Sequence, residues 1–501
     1  MTTLDAPSAQ HHINVRMMTP GDCITATRVS DDSAEDLQRI PVSSTAEGIR
    51  QLSSLDAQLL NAESPSMLLH VGAVTLLEPR ENADDLLSVD AVRRLVAGRL
   101  HLTPPLRRRL RTVPLGLDLP YWQDCTDIDL GYHIRSTHLP AQASDEQLTE
   151  LVSRLHATPL DRNRPLWQCH LISGLADNRQ AIYTKVHHAL IDGVSGAEVM
   201  IAIFDAIAEP QPVPAPKDGV RLDRTATTAE MLARSIPHAV ERQADRLRAP
   251  LRLASTFRNA LTDLRKTHPS VPFNAPNTAD RSFAFVSLPL AEVKTIKNGF
   301  GGTVNDVVMT LCTTALRRWL TDHDAEPERP LLAAVPVSVR TPEQFGTAGN
   351  QFSVMLCELP VDESDPQHRM KLQHSALLDA KHRFQSTPTT ALHEATALLP
   401  QLLHGATTRA LLHAAAPALP LANIIISNVP GPQFPLYAAG TRVAASYPIS
   451  LLTDLSGGLN ITVMSYDGHL DFGILACPAS VPDVWRIAEY LRDALTELHS
   501  T

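Results

Sequence analysis

Residues 181–193 read AIYTKVHHALIDG. The first six of them are largely β-branched, aromatic or apolar, a composition that predicts a strand. The adjacent His187 and His188 follow at once, and Asp192 and Gly193 come after three further apolar residues. The strand is therefore expected to end in a loop that carries polar side chains, and protein scaffolds commonly present reactive groups on such loops.

A helix is predicted directly after this loop. Ser195, followed three residues later by Glu198, fits the capping-box pattern of a helix start. Val199, Ile203 and Ile207 then recur at helical spacing. The local order is thus a strand, a histidine loop and a helix.

His188 is the candidate for chemistry in this loop. The unperturbed pKa of histidine is about 6.5, so a neutral ring can take a proton from an attacking hydroxyl or amine near pH 7. His187 has two open interpretations, a partner in that chemistry or a residue that shapes the loop. Asp192 is expected to turn inward and pair with a cation, while Gly193 permits a turn that a β-carbon would hinder. No third ligand with a recognisable spacing accompanies the two histidines, so no metal site is predicted.

Length, charge and cysteine content narrow the class of protein. At 501 residues the chain is long enough for two domains with full cores. A formal net charge of -10 without a long basic block argues against nucleic-acid binding. The six cysteines are widely spaced with no Cys-x-x-Cys pair, which favours a reducing cytoplasm over a zinc or disulfide framework. Neither a signal peptide nor a membrane-spanning segment is expected from the apolar runs.

The densest basic cluster is Arg107-Arg108-Arg109. One interpretation of this cluster is a solvated helix face. The other is contact with the phosphates of a cofactor or of lipid headgroups. The sequence leaves both open.

Changes of composition divide the chain into four segments. Residues 1–48 are polar and lack periodicity, which is typical of a disordered extension. Residues 49–208 and residues 281–501 each mix predicted strands with predicted helices. Between them, residues 209–280 begin with alternating prolines and continue as a loosely patterned, arginine-rich helical stretch. The simplest architecture is two α/β bodies side by side, joined by this connector.

Two short sequence patterns in the second body each predict a specific local structure. Thr303, with Asp306 three residues later, predicts the start of a helix with an apolar stripe. Asp467-Gly468 lies between two strand-like runs and predicts a two-residue hairpin turn.

An ordered set of short motifs runs along the chain from about Gln51 to Leu498. They are Leu55-Asp56-Ala57, His70-Val71-Gly72, Val113-Pro114-Leu115-Gly116, Pro159-Leu160-Asp161-Arg162, Arg164-Pro165-Leu166-Trp167, the histidine loop, Gly302-Thr303-Val304-Asn305-Asp306-Val307-Val308, Val335-Pro336-Val337-Ser338-Val339-Arg340, Gly349-Asn350 and Ser427-Asn428-Val429-Pro430-Gly431-Pro432. In this order they resemble the bacterial wax ester synthase/acyl-CoA:diacylglycerol acyltransferase family, part of the larger chloramphenicol acetyltransferase and condensation-domain group.

The resemblance implies an α/β fold of two chloramphenicol-acetyltransferase-like subdomains, each a mixed sheet with helices, that meet at a cleft. It implies that His188 is the catalytic base at the centre of this cleft, with His187 beside it and Asp192 as the acid that fixes the loop. Supporting positions implied by the motifs are Gly193, Pro165, Leu166, Trp167, Asn305 and Asp306. Implied substrate-binding positions are Arg340, Asn428 and Gly431.

The activity implied is O-acyl transfer from long-chain acyl-CoA to diacylglycerol, giving triacylglycerol, with long-chain alcohols as further acceptors that would give wax esters. Acyl-CoA is then a co-substrate, and no cofactor or metal is expected. The resemblance also implies a cytoplasmic enzyme that associates peripherally with the inner membrane face or with lipid droplets. Two alternatives stay open: an acyltransferase for a specialised hydroxylated lipid or polyketide, and a catalytically silent lipid-binding homologue.

Overall fold

The computed structural model describes residues 49–79, 86–114, 118–125, 127–191, 193–209, 213, 229–233, 269–338, 352–386 and 422–500. The predicted N-terminal extension, most of the predicted connector, Asp192 and Arg340 lie outside these residues.

The first half of the described chain alternates strands and helices. Its elements are β1 (Ile49–Gln51), α1 (Ser54–Ala62), β2 (His70–Leu77), α2 (Val89–Arg99), β3 (Arg108–Arg111), β4 (Tyr121–Asp124), α3 (Leu130–His133), β5 (Ile134–Ala143), α4 (Asp145–His156), β6 (Trp167–Leu175), β7 (Gln180–His187) and α5 (Gly193–Ile203).

The second half repeats this mixture with longer helices. Its elements are β8 (Ser282–Pro289), α6 (Leu290–Phe300), α7 (Val304–Asp322), β9 (Leu331–Ser338), β10 (Phe352–Leu359), α8 (Pro366–Ser386), β11 (Ile424–Pro430), β12 (Tyr437–Ala438), β13 (Thr441–Ile449), β14 (Leu459–Tyr466), β15 (His469–Ala476) and α9 (Val484–His499).

Two six-stranded sheets form the framework. The first has the order β12-β13-β2-β7-β6-β5, and the second has the order β10-β9-β11-β14-β15-β8. Both are mixed: β5 pairs parallel with β6, and β11 pairs parallel with both β9 and β14. The predicted α/β fold with two sheet-and-helix halves is therefore confirmed.

The two halves share strands and core. Strand β13 comes from the second half of the chain but pairs antiparallel with β2, so it completes the first sheet. One apolar cluster contains side chains from both sheets, and within it the rings of Phe285 and Tyr447 stack with centroids 4.2 Å apart. At this seam a Cβ on Gly473 would lie 1.7 Å from the backbone oxygen of Pro448, so the close approach of β15 to β13 requires glycine. The seam between the sheets is thus a packed interface.

The local signals from the sequence are confirmed where the structure describes them. Thr303 caps α7 in a reciprocal capping box with Asp306. Asp467 and Gly468 both have positive φ and join β14 to β15 in a tight hairpin. In contrast, α5 begins at Gly193, so Ser195 lies inside the helix and not at its N-cap.

A separate three-stranded sheet, β1-β4-β3, carries most of the basic cluster. Arg108 begins strand β3, and Arg107 is the last residue of the 3-10 turn Pro104–Arg107. The helix-face interpretation of the cluster is therefore wrong. The two prolines suit the start of a turn, and pairing of β3 with β4 then holds the next four residues extended.

Candidate active site

The histidine loop is held by backbone hydrogen bonds on both sides. Strand β7 lies between β2 and β6, and the ladder continues past its end. The His187 N–H donates to the Leu166 oxygen on one side, and the His188 N–H donates to the Leu69 oxygen on the other, both at 2.9 Å. The position of this loop is therefore fixed by the two neighbouring strands.

The two histidines have different surroundings. His187 is 1% exposed, whereas His188 is only half-buried. The Nδ1 atom of His187 accepts a hydrogen bond from the Ala189 N–H at 3.0 Å, so in the neutral ring the proton belongs on Nε2. Burial lowers the pKa of His187 to about 3, which keeps this ring neutral at physiological pH. These features favour a loop-fixing role for His187, and His188 is the more exposed of the two rings.

Glu63, which follows α1, lies against this ring and was not identified from the sequence. Its Oε1 atom is 3.3 Å from His70 Nε2 and 3.6 Å from His187 Nε2, and its Oε2 accepts a hydrogen bond from Arg162 at 2.6 Å. Burial by itself would raise the pKa of the Glu63 carboxyl, but the approach of His70, His187 and Arg162 outweighs burial and holds the pKa at about 2. A permanent carboxylate therefore lies beneath the loop.

Further polar groups surround this carboxylate. His70 pairs directly with His187 across β2 and β7 and is fully buried. His156 packs edge-on against His70, and its Nδ1 is 2.9 Å from the Tyr183 hydroxyl. Burial lowers the pKa of both His70 and His156. The loop thus rests on a buried cluster of neutral imidazoles, two of which face the Glu63 carboxylate.

Lys185 is the buried cation of this region. Its Nζ donates to the backbone oxygens of Leu155 and Thr158, both at 2.7 Å, at the C-terminal end of α4. Burial lowers the pKa of Lys185 to about 8. An ammonium group at a helix C-terminus satisfies carbonyls that have no partner within the helix, so Lys185 attaches α4 to the histidine strand.

Pro165, Leu166 and Trp167 lie beside the loop. Leu166 is fully buried and supplies the oxygen that receives the His187 N–H. Trp167 donates its indole N–H to the Leu106 oxygen at 2.8 Å and stacks on His133 with ring centroids 4.3 Å apart. Leu166 thus contacts the loop directly through its backbone oxygen, and Trp167 packs on the segment beside it.

Asn305 and Asn428 bring the second half of the chain to the same region. Asn305 is in the first turn of α7, Asn428 is in β11, and the Asn428 side-chain amide donates to Asn305 Oδ1 at 3.3 Å. Helix α5, which follows the histidine loop, packs against β11. The amide pair and the histidine loop are thus on neighbouring elements at the seam.

Asp306 and Gly431 have clear structural roles. The Oδ2 atom of Asp306 accepts the Thr303 N–H while the Asp306 N–H donates to the Thr303 hydroxyl oxygen, as in a capping box, and Oδ1 of Asp306 is 3.2 Å from His374 Nδ1. Gly431 is buried, and a Cβ there would lie 2.3 Å from the Ser465 oxygen. Asp306 therefore caps α7, and Gly431 allows the chain after β11 to approach β14 closely.

The structure describes only some of the remaining predicted site residues. Gly193 is the first residue of α5. Asp192 and Arg340 lie outside the described residues, so their predicted roles stay predictions. Among the described residues, no group of three or more His, Cys, Asp or Glu side chains is arranged to hold a metal ion. No helix in the described part of the chain is long and apolar enough to cross a bilayer.

Two family models match the chain in succession. The model of the wax ester synthase/diacylglycerol acyltransferase catalytic domain matches residues 52–308, and the model of the C-terminal domain of the same family matches residues 348–499. The chain belongs to the wax ester synthase/diacylglycerol acyltransferase family. The resemblance inferred from the ordered motifs is therefore confirmed.

Relatives within this family cover almost the whole chain. A Mycobacterium tuberculosis protein named as a diacylglycerol O-acyltransferase is 37% identical over 455 residues, which are 89% of this chain and 99% of the relative. A second diacylglycerol O-acyltransferase of the same species is 35% identical over 452 residues, covering 88% of this chain and 97% of the relative.

Solved structures give the same result. The wax ester synthase/diacylglycerol acyltransferase of Marinobacter aquaeolei VT8 is 30% identical, has a TM-score of 0.67, and is matched over 89% of this chain and 98% of that one. The first condensation domain of the calcium-dependent antibiotic synthetase has a TM-score of 0.54 at 18% identity, over 90% and 96% of the two chains. The second match shows that this wax ester synthase/diacylglycerol acyltransferase family member has the two-lobed fold of condensation domains.

Proposed function

We propose that this chain transfers a long-chain acyl group from acyl-CoA to the free hydroxyl of diacylglycerol, with His188 as the general base. Membership of the family supports the reaction class. The single observation that carries the choice of base is the contrast between the two histidines. His187 is buried against Glu63, while His188 is half-buried on a loop held from both sides.

In the proposed reaction, His188 takes one proton from the acceptor hydroxyl and later gives it to the leaving thiolate. A nitrogen of neutral His188 takes the hydroxyl proton of diacylglycerol as the oxygen attacks the thioester carbonyl carbon. The tetrahedral intermediate then expels the CoA sulfur, and the imidazolium returns the proton to the thiolate. A thioester is already activated, so neither a covalent enzyme intermediate nor a cofactor is required.

The surrounding residues serve this step by position. His187, Glu63 and Lys185 keep the loop in place, which lowers the entropic cost of bringing base and hydroxyl together. Helix α5 begins at Gly193, and the first N–H groups of a helix have no partner within it. Such N–H groups are suited to stabilise the developing oxyanion.

The proposed acceptors are lipids, and long-chain alcohols are proposed as further acceptors. Diacylglycerol and triacylglycerol both partition into apolar phases, so we propose peripheral association of a cytoplasmic enzyme with the inner membrane face or with lipid droplets. Flotation of the purified protein with diacylglycerol-containing vesicles tests this association, and recovery of the protein only in the unbound fraction would contradict it.

An acceptor panel tests the proposed function. Purified protein is incubated with radiolabelled palmitoyl-CoA and, separately, with dioleoylglycerol, hexadecanol and a hydroxylated polyketide. The expected result is labelled triacylglycerol as the main product and a smaller yield of wax ester. Transfer to the hydroxylated polyketide alone would replace the proposal with the specialised-lipid alternative. Lipid binding without turnover of any acceptor would favour a silent homologue.

A further inference from the structure

The small sheet β1-β4-β3 concentrates positive charge in an acidic protein. Its three strands read IRQ, YWQD and RRLR, so they carry four arginines and one aspartate. The whole chain has a formal net charge of -10. A local excess of arginines of this kind attracts anions and suits phosphate recognition.

Among the described residues, Arg109 and Arg111 form no salt bridge with an acidic side chain. Arg108 pairs with Asp124 at 3.2 Å. Arg109 and Arg111 instead donate their Nε–H groups to one neutral atom, Gln123 Oε1, at 3.3 Å and 2.7 Å. Among the described residues, their terminal guanidinium nitrogens make no further hydrogen bond.

This arrangement follows from strand register. Arg109 pairs with Gln123 across β3 and β4, and Arg111 is two residues further along β3, on the same face. Because both Nε atoms contact one oxygen, they are no more than about 6 Å apart. Two like charges this close repel each other, and the neutral amide of Gln123 does not compensate them. An anion between the terminal nitrogens would remove that repulsion.

The arginine pair is linked to the catalytic segment through backbone contacts. Arg109 forms a β-bridge with Pro165, and the next residue, Leu166, accepts the His187 N–H. Two strand-to-strand spacings, one from Arg109 to Pro165 and one from Leu166 to His187, separate the two residues. The Arg109 backbone therefore lies on the order of 10 Å from that of His187. The indole of Trp167 is also tied to the segment before β3, through the Leu106 oxygen.

We propose that Arg109 and Arg111 bind a phosphate group of the CoA moiety of the acyl donor. This inference rests on the proposed function, because it takes acyl-CoA as the donor. In acyl-CoA the pantetheine arm separates the thioester from the phosphates, so a phosphate site belongs near the base but not at it. Both arginines are half-buried in the sheet, which fits a bound small molecule better than a flat membrane surface.

Donor comparison tests the proposal. The double variant Arg109→Gln/Arg111→Gln is assayed with palmitoyl-CoA and with palmitoyl-pantetheine, which lacks the nucleotide phosphates. We expect the KM for palmitoyl-CoA to rise roughly ten- to a hundredfold, since charge-assisted hydrogen bonds are lost. The KM for palmitoyl-pantetheine should not change. Arg154→Gln, which removes an exposed arginine of α4, is the matched control and should change neither KM.

Three outcomes would overturn the proposal. They are an unchanged KM for palmitoyl-CoA, an equal rise for both donors, and a loss of binding to anionic vesicles with the donor ratio unchanged. The last outcome would assign the pair to lipid headgroups. The variant Arg109→Lys/Arg111→Lys keeps the charge and is expected to recover part of the preference for CoA.

A binding measurement separates this proposal from the proposed function. Cys125 follows β4 next to the arginine pair, and of the described cysteines it is the one that is not buried. Acetyl-CoA, which carries the CoA phosphates but has no free thiol to consume the reagent, is expected to slow alkylation of Cys125 in the unaltered protein, as measured by peptide mapping, and not in the double Gln variant. Equal labelling with and without acetyl-CoA would contradict the phosphate site even if acyl transfer to diacylglycerol is observed. Protection of Cys125 without acyl transfer to diacylglycerol would contradict the proposed function but not the phosphate site.

Discussion

Replacing Glu63 with glutamine removes the carboxylate beneath the histidine loop while keeping the shape of the side chain. A pKa held at about 2 against an ordinary 4.5 means that the contacts of the charged form outweigh its burial by about 3 kcal/mol. Arg162 is 43% exposed, and the His70 and His187 rings are neutral at pH 7, so solvent screening and the missing histidine charges reduce this to about 2 kcal/mol. Glu63→Gln is therefore expected to lower the free energy of unfolding by about 2 kcal/mol at pH 7. It should also lower kcat roughly ten- to a hundredfold, because His187 loses the group that orients it.

Urea denaturation and steady-state transfer from palmitoyl-CoA to dioleoylglycerol measure the two effects. Glu150→Gln is the matched control, since Glu150 is exposed and, within the described part of the chain, pairs with the exposed Arg154 alone. The control substitution should lower the free energy of unfolding by no more than about 0.5 kcal/mol and leave kcat unchanged. If Glu63→Gln matches this control in both stability and kcat, the carboxylate neither supports the fold nor positions the loop, and the reasoning fails.

Three further predictions follow from buried groups and from the seam. The pKa values of His170 and His187 lie at about 4 and 3, below the value near 6.5 of the unfolded chain, so the unfolded state binds protons that the folded state does not. Stability is therefore expected to fall as the pH drops below about 6.5, by about 1.4 kcal/mol per pH unit for each histidine, and constant urea midpoints from pH 7 to pH 5 would contradict this. Trp167→Phe should lower the free energy of unfolding, measured by heat or urea, by about 1–3 kcal/mol, because a buried backbone carbonyl loses its indole donor. A smaller loss would show that this hydrogen bond contributes little to stability. Asn305→Ala and Asn428→Ala should lower kcat non-additively in a double-mutant cycle, because the Asn428 amide donates to the Asn305 side chain. Additive losses would mean that the two residues act independently.

The features that the sequence predicted correctly depend on neighbours in the chain. The histidine strand, the capping box at Thr303 and the hairpin at Asp467-Gly468 each follow from residues within a few positions of one another. The ordered motifs added the family and with it the two-lobed fold. Together these located the histidine loop and the residues Pro165, Leu166 and Trp167 beside it.

The features that the sequence did not reveal depend on distant contacts. Glu63 and His187 are more than a hundred residues apart, and no local pattern marks a glutamate after a helix as the partner of a histidine. Strand β13 has the same local character whichever sheet it joins, so its pairing with β2 left no signal. The arginine cluster was assigned in part to a helix face because its preference for β3 arises from pairing with β4.

The most direct test of the account compares His188→Ala with His187→Ala in single-turnover transfer from palmitoyl-CoA to dioleoylglycerol, with folding checked by thermal unfolding. For His188→Ala we predict a protein with near-unchanged unfolding and a chemical step slowed about 10²- to 10⁴-fold, the usual contribution of a general base. For His187→Ala we predict lost stability as well as lost rate, since that ring is buried within the Glu63 network. Undiminished transfer by a folded His188→Ala protein would contradict the assignment of His188 as the base.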